Sequence, residues 1–140
     1  MQNDFRLSTF DFRLSRGRSV LIVDPSEETC EALRAALEPR GVRIFAASQP
    51  RHGLALAREH RPDLIVLDLE CRSTTSADGD AAVAESLTRE APLVMLGTAR
   101  RRPAHLPACQ FVSKPYHYAP LIRKIEELLA ADRSRAAATG

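Results

Sequence analysis

Two short apolar runs, each closed by an aspartate, constrain this chain more than any other feature. Val20-Leu21-Ile22-Val23 leads into Asp24, and Leu64-Ile65-Val66-Leu67 leads into Asp68. A run this short, with no polar alternation, suits a strand covered on both faces. After the first run, Pro25 and Ser26 open a helix through about Glu38, with Asp24 or Ser26 as its N-cap. Cys30, Leu33 and Leu37 recur there on one face, and Gly41 is the stop signal. Val42 to Ala46 reads as a second strand. Ser48 and Pro50 begin a second helix, which carries Leu54, Leu56 and Ala57 and ends near Arg61-Pro62. The run ending at Asp68 is the third strand, and a polar loop from Leu69 to Gly79 follows. An Ala-rich helix then covers Asp80 to Arg89, and Leu93 to Leu96 is a fourth strand.

From Ala99 to Cys109 the pattern breaks. Arg100-Arg101-Arg102, Pro103 and Pro107 oppose a full helix, since an interior proline costs about 3 kcal/mol. Phe111 to Ser113 is a short fifth strand. A last helix from about Tyr118 to Ala131 carries Leu121, Ile122, Ile125, Leu128 and Leu129 as an apolar stripe. Five strands alternating with helices predict an α/β fold: a doubly wound parallel sheet with helices on both faces, the fourth helix shortened or irregular. Residues 1–18 form an N-terminal extension in which Phe5, Leu7, Phe10, Phe12 and Leu14 alternate with polar residues. Residues 19–131 form the domain, and 132–140 a frayed tail or linker.

Composition narrows the function classes. At 140 residues and 44% hydrophobic content, one domain can bury a core without staples. No run approaches a membrane span, and no apolar core follows the N-terminus. A cytoplasmic location is expected, with no membrane partner. The net charge of +2 does not argue for nucleic acid, and none is expected as a direct partner. Cys30, Cys71 and Cys109 are far apart and form no C-x-x-C pair, which disfavours disulfides and zinc. There is no glycine-rich phosphate loop and no Ser/His or Cys/His constellation, so an enzyme of turnover is not expected.

Ligand sites of open parallel sheets lie at the carboxyl ends of the strands. Asp24 and Asp68 end the first and third strands, Thr98 follows the fourth, and Lys114 follows the fifth. Each alone is commonly a cap or a loop charge. Together on one edge they form a site: carboxylates suit Mg²⁺, and a carboxylate can attack a phosphoryl group and carry it as an acyl phosphate. A lysine and a hydroxyl can then hold the added oxygens.

Three segments give the chain a resemblance to the receiver domains of bacterial two-component response regulators. They are Val20 to Asp24, Arg61-Pro62-Asp63 through Leu69, and Val112-Ser113-Lys114-Pro115-Tyr116 with the helix after it. The resemblance covers about residues 19–131. It implies a flavodoxin-like (βα)5 sandwich with strand order 2-1-3-4-5. It makes Asp68 the phosphoacceptor and Asp24 a member of the acidic pair around Mg²⁺. Glu70 becomes the residue whose backbone carbonyl ligates the metal, and Lys114 the partner of the phosphoryl group. Thr98 resembles the switch hydroxyl, Phe111 the switch aromatic, and Lys114–Pro115 a cis peptide. A histidine kinase or phosphotransfer protein becomes the expected partner, with a homodimer or a downstream output protein beside it.

Four positions depart from that pattern. Pro25 stands where a second acidic residue is usual, leaving Glu27 or Glu70 as the nearby carboxylates. The loop after Asp68 lacks the usual Met-Pro pair, and Cys71 takes the methionine's place. Either Gly97 or Thr98 stands at the switch position. The arginine run, read as a solvated stretch or a partner patch, replaces a regular fourth helix. The expected function is phosphoryl acceptance on Asp68 in a phosphorelay. The alternative is a degenerate receiver that acts as a phosphorylation-independent docking or dimerisation module.

Overall fold

In a computed structural model of the chain, residues 18–70, 77–98 and 109–139 are described. The expectations for the N-terminal extension, most of the loop after Asp68 and the arginine run lie outside these residues. Five strands, β1 (Ser19–Val23), β2 (Arg43–Ala47), β3 (Leu64–Asp68), β4 (Leu93–Gly97) and β5 (Cys109–Ser113), form one sheet. The pairings are all parallel, in the order β2-β1-β3-β4-β5, as the sequence implied. Among the described residues four helices accompany them: α1 (Glu27–Leu37), α2 (Pro50–His60), α3 (Ala77–Glu90) and α4 (Tyr118–Thr139).

The alternation of side chains along each strand divides the core in two. Val20, Ile22, Leu64, Val66, Val94 and Leu96 face Leu33 and Leu37 of α1 and Leu121, Ile125 and Leu129 of α4. Leu21, Val23, Ile65, Leu67, Leu93 and Met95 face Ala57 of α2 and Leu87 of α3. This two-sided burial is why β1, β3 and β4 read as unbroken apolar runs. Fully burying one such side chain stabilises by roughly 1.5–3 kcal/mol.

Helix ends follow local chemistry. Ser26 caps α1, its hydroxyl accepting from the Thr29 N–H at 3.2 Å. Gly41 takes the left-handed conformation at φ 87° after the short 3-10 turn Glu38–Arg40, letting the chain reverse into β2.

Two helices differ from expectation. α3 begins at Ala77, so Asp78-Gly79 lies in its first turn rather than in a loop. The local Asp-Gly turn signal is overridden by the helix. α4 continues through Thr139 instead of ending near Ala131. Residues 132–139 are mostly Ala and Arg, both strong helix formers, and no breaker occurs before Gly140.

Helix α2 crosses β1 closely at Gly53. A Cβ there would lie 2.5 Å from Cγ2 of Val23, a β-branched side chain held in the core. Gly53→Ala should therefore lose about 1–2 kcal/mol despite alanine's better helix propensity. Urea denaturation checks this, and equal or higher stability would show that the α2–β1 contact has slack.

Candidate functional site

The strand alternation that builds the core also builds the site. Asp24 follows Val20 and Ile22 in phase, Asp68 follows Leu64 and Val66, and Lys114 follows Val112. All three occupy the α1/α4 side of the sheet, one step past the packed apolar layer. Asp24 and Asp68 are buried, at 3% and 5% exposure. Two carboxylates this poorly solvated need partners.

The Lys114 ammonium supplies one. Its Nζ donates to Oδ1 of Asp68 at 2.9 Å and to Oδ2 at 3.0 Å. Oδ1 of Asp68 also accepts from the backbone N–H of Glu70 at 2.9 Å, and Oδ1 of Asp24 accepts from that of Ser26 at 2.8 Å. The Lys114 N–H donates to the Gly97 carbonyl at 2.9 Å, tying the lysine's loop to the end of β4. Lys114–Pro115 is cis, as the resemblance implied.

Electrostatics differ across the pair. Burial pushes Asp24 from an ordinary 3.8 up to about 6. The Ser26 N–H opposes that rise, neighbouring Asp68 adds to it, and Lys114 offsets part of it. For Lys114, burial acts downward, but Asp68 and Glu70 outweigh it and its pKa rises.

The structure thus brings Asp24, Asp68, Glu70 and Lys114 together. Thr98 follows Val94 and Leu96 in phase, on the same side of the sheet. Thr98 is exposed, and among the described residues no hydrogen bond joins it to Asp68 or Lys114. A side chain at 97 would meet Leu69 within 3.1–3.2 Å. Phe111 is half-buried on β5 beside the Met95 layer. Glu27 is exposed in the first turn of α1.

Two features escaped sequence reasoning. The Glu70 side chain reaches Lys114, with Oε1 3.4 Å from Nζ, where the sequence pointed to it only as a donor toward the metal. Tyr118 meets Thr29 through hydroxyls 3.4 Å apart, and burial raises the pKa of neighbouring Tyr116. These link the loop after Lys114 to the start of α1. No local signal marks that contact, because Thr29 and Tyr118 are 89 positions apart.

As a donor set for Mg²⁺, the site offers two adjacent carboxylates and the Glu70 carbonyl, while Pro25 offers no side-chain oxygen. Among the described residues, no three His, Cys, Asp or Glu side chains gather as a metal cluster. Mg²⁺ commonly takes one or two carboxylates and keeps several waters, so the set fits a weakly held ion.

No family model matches the chain. Curated relatives nevertheless share its sequence. The KDP operon transcriptional regulatory protein of Escherichia coli K12 is 45% identical over 51 residues, 36% of this chain and 23% of that protein. Its counterpart in Mycobacterium tuberculosis CDC 1551 is 34% identical over 77 residues, 55% of this chain and 33% of that protein. The matches thus span a quarter to a third of these relatives' lengths. Among solved structures, the chemotaxis response regulator CheY4 of Vibrio cholerae aligns at TM-score 0.63 and 23% identity, covering 79% of this chain and 98% of that one. The receiver domain of the hybrid histidine kinase CckA aligns at 0.60 and 18% identity, with the same coverage of both chains. At these identities the structural likeness shows the fold. No helix among the described residues is long and apolar enough to cross a membrane.

The raised pKa of Asp24 fixes the sign of a pH effect. Between about pH 4 and 6 the folded chain binds the extra proton, so this group's contribution to stability falls as pH rises through that window. Asp24→Asn keeps an oxygen for the Ser26 N–H and removes the charge. It should stabilise the fold by about 1–3 kcal/mol at pH 7.5, with the gain fading near pH 4. Urea melts at both pH values check this; a loss of stability at pH 7.5 would show that Asp24 is better solvated or paired than its burial implies.

Proposed function

From a divergent relative of the response-regulator receivers, alike in fold and in sequence, we propose a signalling receiver that accepts a phosphoryl group on Asp68. The observation carrying this reading is the Asp68–Lys114 contact. A buried carboxylate at a strand end is held through both oxygens by a lysine from another loop, with Asp24 beside it. In the reaction, an Asp68 oxygen attacks phosphorus and the bond from phosphorus to the donor's leaving group breaks. An acyl phosphate forms. Lys114, already at both oxygens, passes to the new phosphoryl oxygens as the ester oxygen loses charge.

Asp24, Asp68 and the Glu70 carbonyl would hold Mg²⁺. When bound, it neutralises charge between the carboxylates and the incoming phosphoryl group. The donor would be a histidine kinase, a phosphotransfer protein or a small acyl phosphate. The output would be a conformational shift read by a partner surface, with no substrate turned over. Pro25 favours the second reading, a docking module without phosphorylation, because it removes a side-chain oxygen from the metal's surroundings.

Intact mass after incubation with acetyl phosphate separates the two. One phosphoryl adduct is expected, needing Mg²⁺ and absent in Asp68→Asn. Labelling retained in Asp68→Asn would sink the assignment of that residue, and no adduct on a folded native chain would favour the docking module. Pro25→Asp adds an oxygen donor, and half-maximal labelling should then need about tenfold less Mg²⁺. An unchanged Mg²⁺ requirement would count against a metal site beside residue 25.

A further inference from the structure

The Glu70 side chain has a place in the site that its backbone role does not explain. Its N–H is fixed to Oδ1 of Asp68 at 2.9 Å, which anchors the start of the loop. Its carboxylate then turns back to Lys114 at 3.4 Å, although 43% of the side chain remains exposed and solvent is available to it. Lys114 therefore serves two carboxylates from one turn of chain, Asp68 through both oxygens and Glu70 through one. Two N–H donors of the ammonium go to Asp68, and the Glu70 carboxylate stands beside it as an ion pair.

A phosphoryl group arriving at Asp68 brings two negative charges to this lysine. It must displace Glu70 from Nζ or share the ammonium with it, and it does so against the repulsion of the Glu70 carboxylate. Resting on the receiver reading above, we infer that Glu70 competes with the incoming phosphoryl group for Lys114 and so restrains the rate at which Asp68 is loaded. Glu70 acts through the lysine and takes no bond to phosphorus. The transfer balances without it: the bond from phosphorus to acetate breaks, the bond to Asp68 forms, and acetate leaves with its electron pair.

A half-exposed ion pair is screened, so its removal has a modest effect. Glu70→Gln keeps the backbone bond to Asp68 and the side-chain length while removing the charge. With acetyl phosphate and saturating Mg²⁺, the native chain, Glu70→Gln and Glu27→Gln are compared by intact mass over time. Glu27 reports general repulsion, since it is an exposed acid in the first turn of α1, which starts at the same edge of the sheet. The expected result is loading about two- to fivefold faster in Glu70→Gln and unchanged in Glu27→Gln. The Lys114 pKa, followed by NMR, should fall in Glu70→Gln and stay in Glu27→Gln. Such a gain in rate with a local change at Lys114 cannot come from loosened folding.

Equal loading in the native chain and Glu70→Gln would overturn the inference and leave the receiver reading standing. Equal acceleration in both variants would replace competition at Lys114 with simple repulsion of the donor. An absence of adduct in all three folded chains would sink the receiver reading and this inference with it.

Discussion

The burial of two carboxylates at adjacent strand ends is the constraint on which the rest of this molecule's chemistry depends. β1 and β3 are covered on both faces, so the residues that end them leave water whether or not that suits their charge. Asp24 and Asp68 are each almost fully buried. Burying a charge is tolerable only with close compensation. Here it comes from the Ser26 and Glu70 N–H groups and the Lys114 ammonium. Three loops must therefore meet at one edge of the sheet. The Thr29 and Tyr118 hydroxyls and the Gly97 carbonyl hold the lysine's loop in place.

What the sequence disclosed follows the same physics. A strand buried on both faces leaves an apolar run with little ambiguity, and the polar residue that ends it marks the rim. Asp24, Asp68 and Lys114 were legible for that reason, and so was the strand order once the resemblance was recognised. Directions beyond the strand ends were not. Nothing in Leu69-Glu70 says that the glutamate turns back to a lysine 44 positions on. Nor does the sequence place Thr98 outside the bonded set, since one residue of register at a strand end decides it. Helix limits were the other weak point. Asp78-Gly79 carries a turn signal that a helix N-terminus also accepts, and an Ala- and Arg-rich end looks the same as a tail or as a helix.

Among the described residues, departures from the receiver pattern sit at the ends of the alternating core. Pro25 and Thr98 lie just past strand ends, where a substitution alters the rim without disturbing a packed layer. This is why the fold can stay complete while its metal-facing donors thin out. Pro25 costs the architecture little: it stands between a strand end and the N-cap of α1, where no helical N–H is needed. The same position offers a metal nothing from its side chain. Stability and chemistry are thus carried by neighbouring but separable sets of residues.

That separation bears on the choice between a working receiver and a docking module. A module that only presents a surface gains nothing from charge buried at this edge. Amides or apolar side chains would end β1 and β3 without the desolvation that drives Asp24 up to about 6. The lysine makes the point again: a cation held through two bonds to one buried carboxylate is costly to assemble, and a hydrophobic replacement of the pair is often neutral or better for stability. A carboxylate kept at a buried strand end although burial raises its pKa, as at Asp24, is characteristic of chemical sites. Pro25 weakens one ligand of that site. The Asp68–Lys114 pair is still assembled, with both carboxylate oxygens bonded to the ammonium, and a site kept in this form fits the receiver reading better than a surface that only docks.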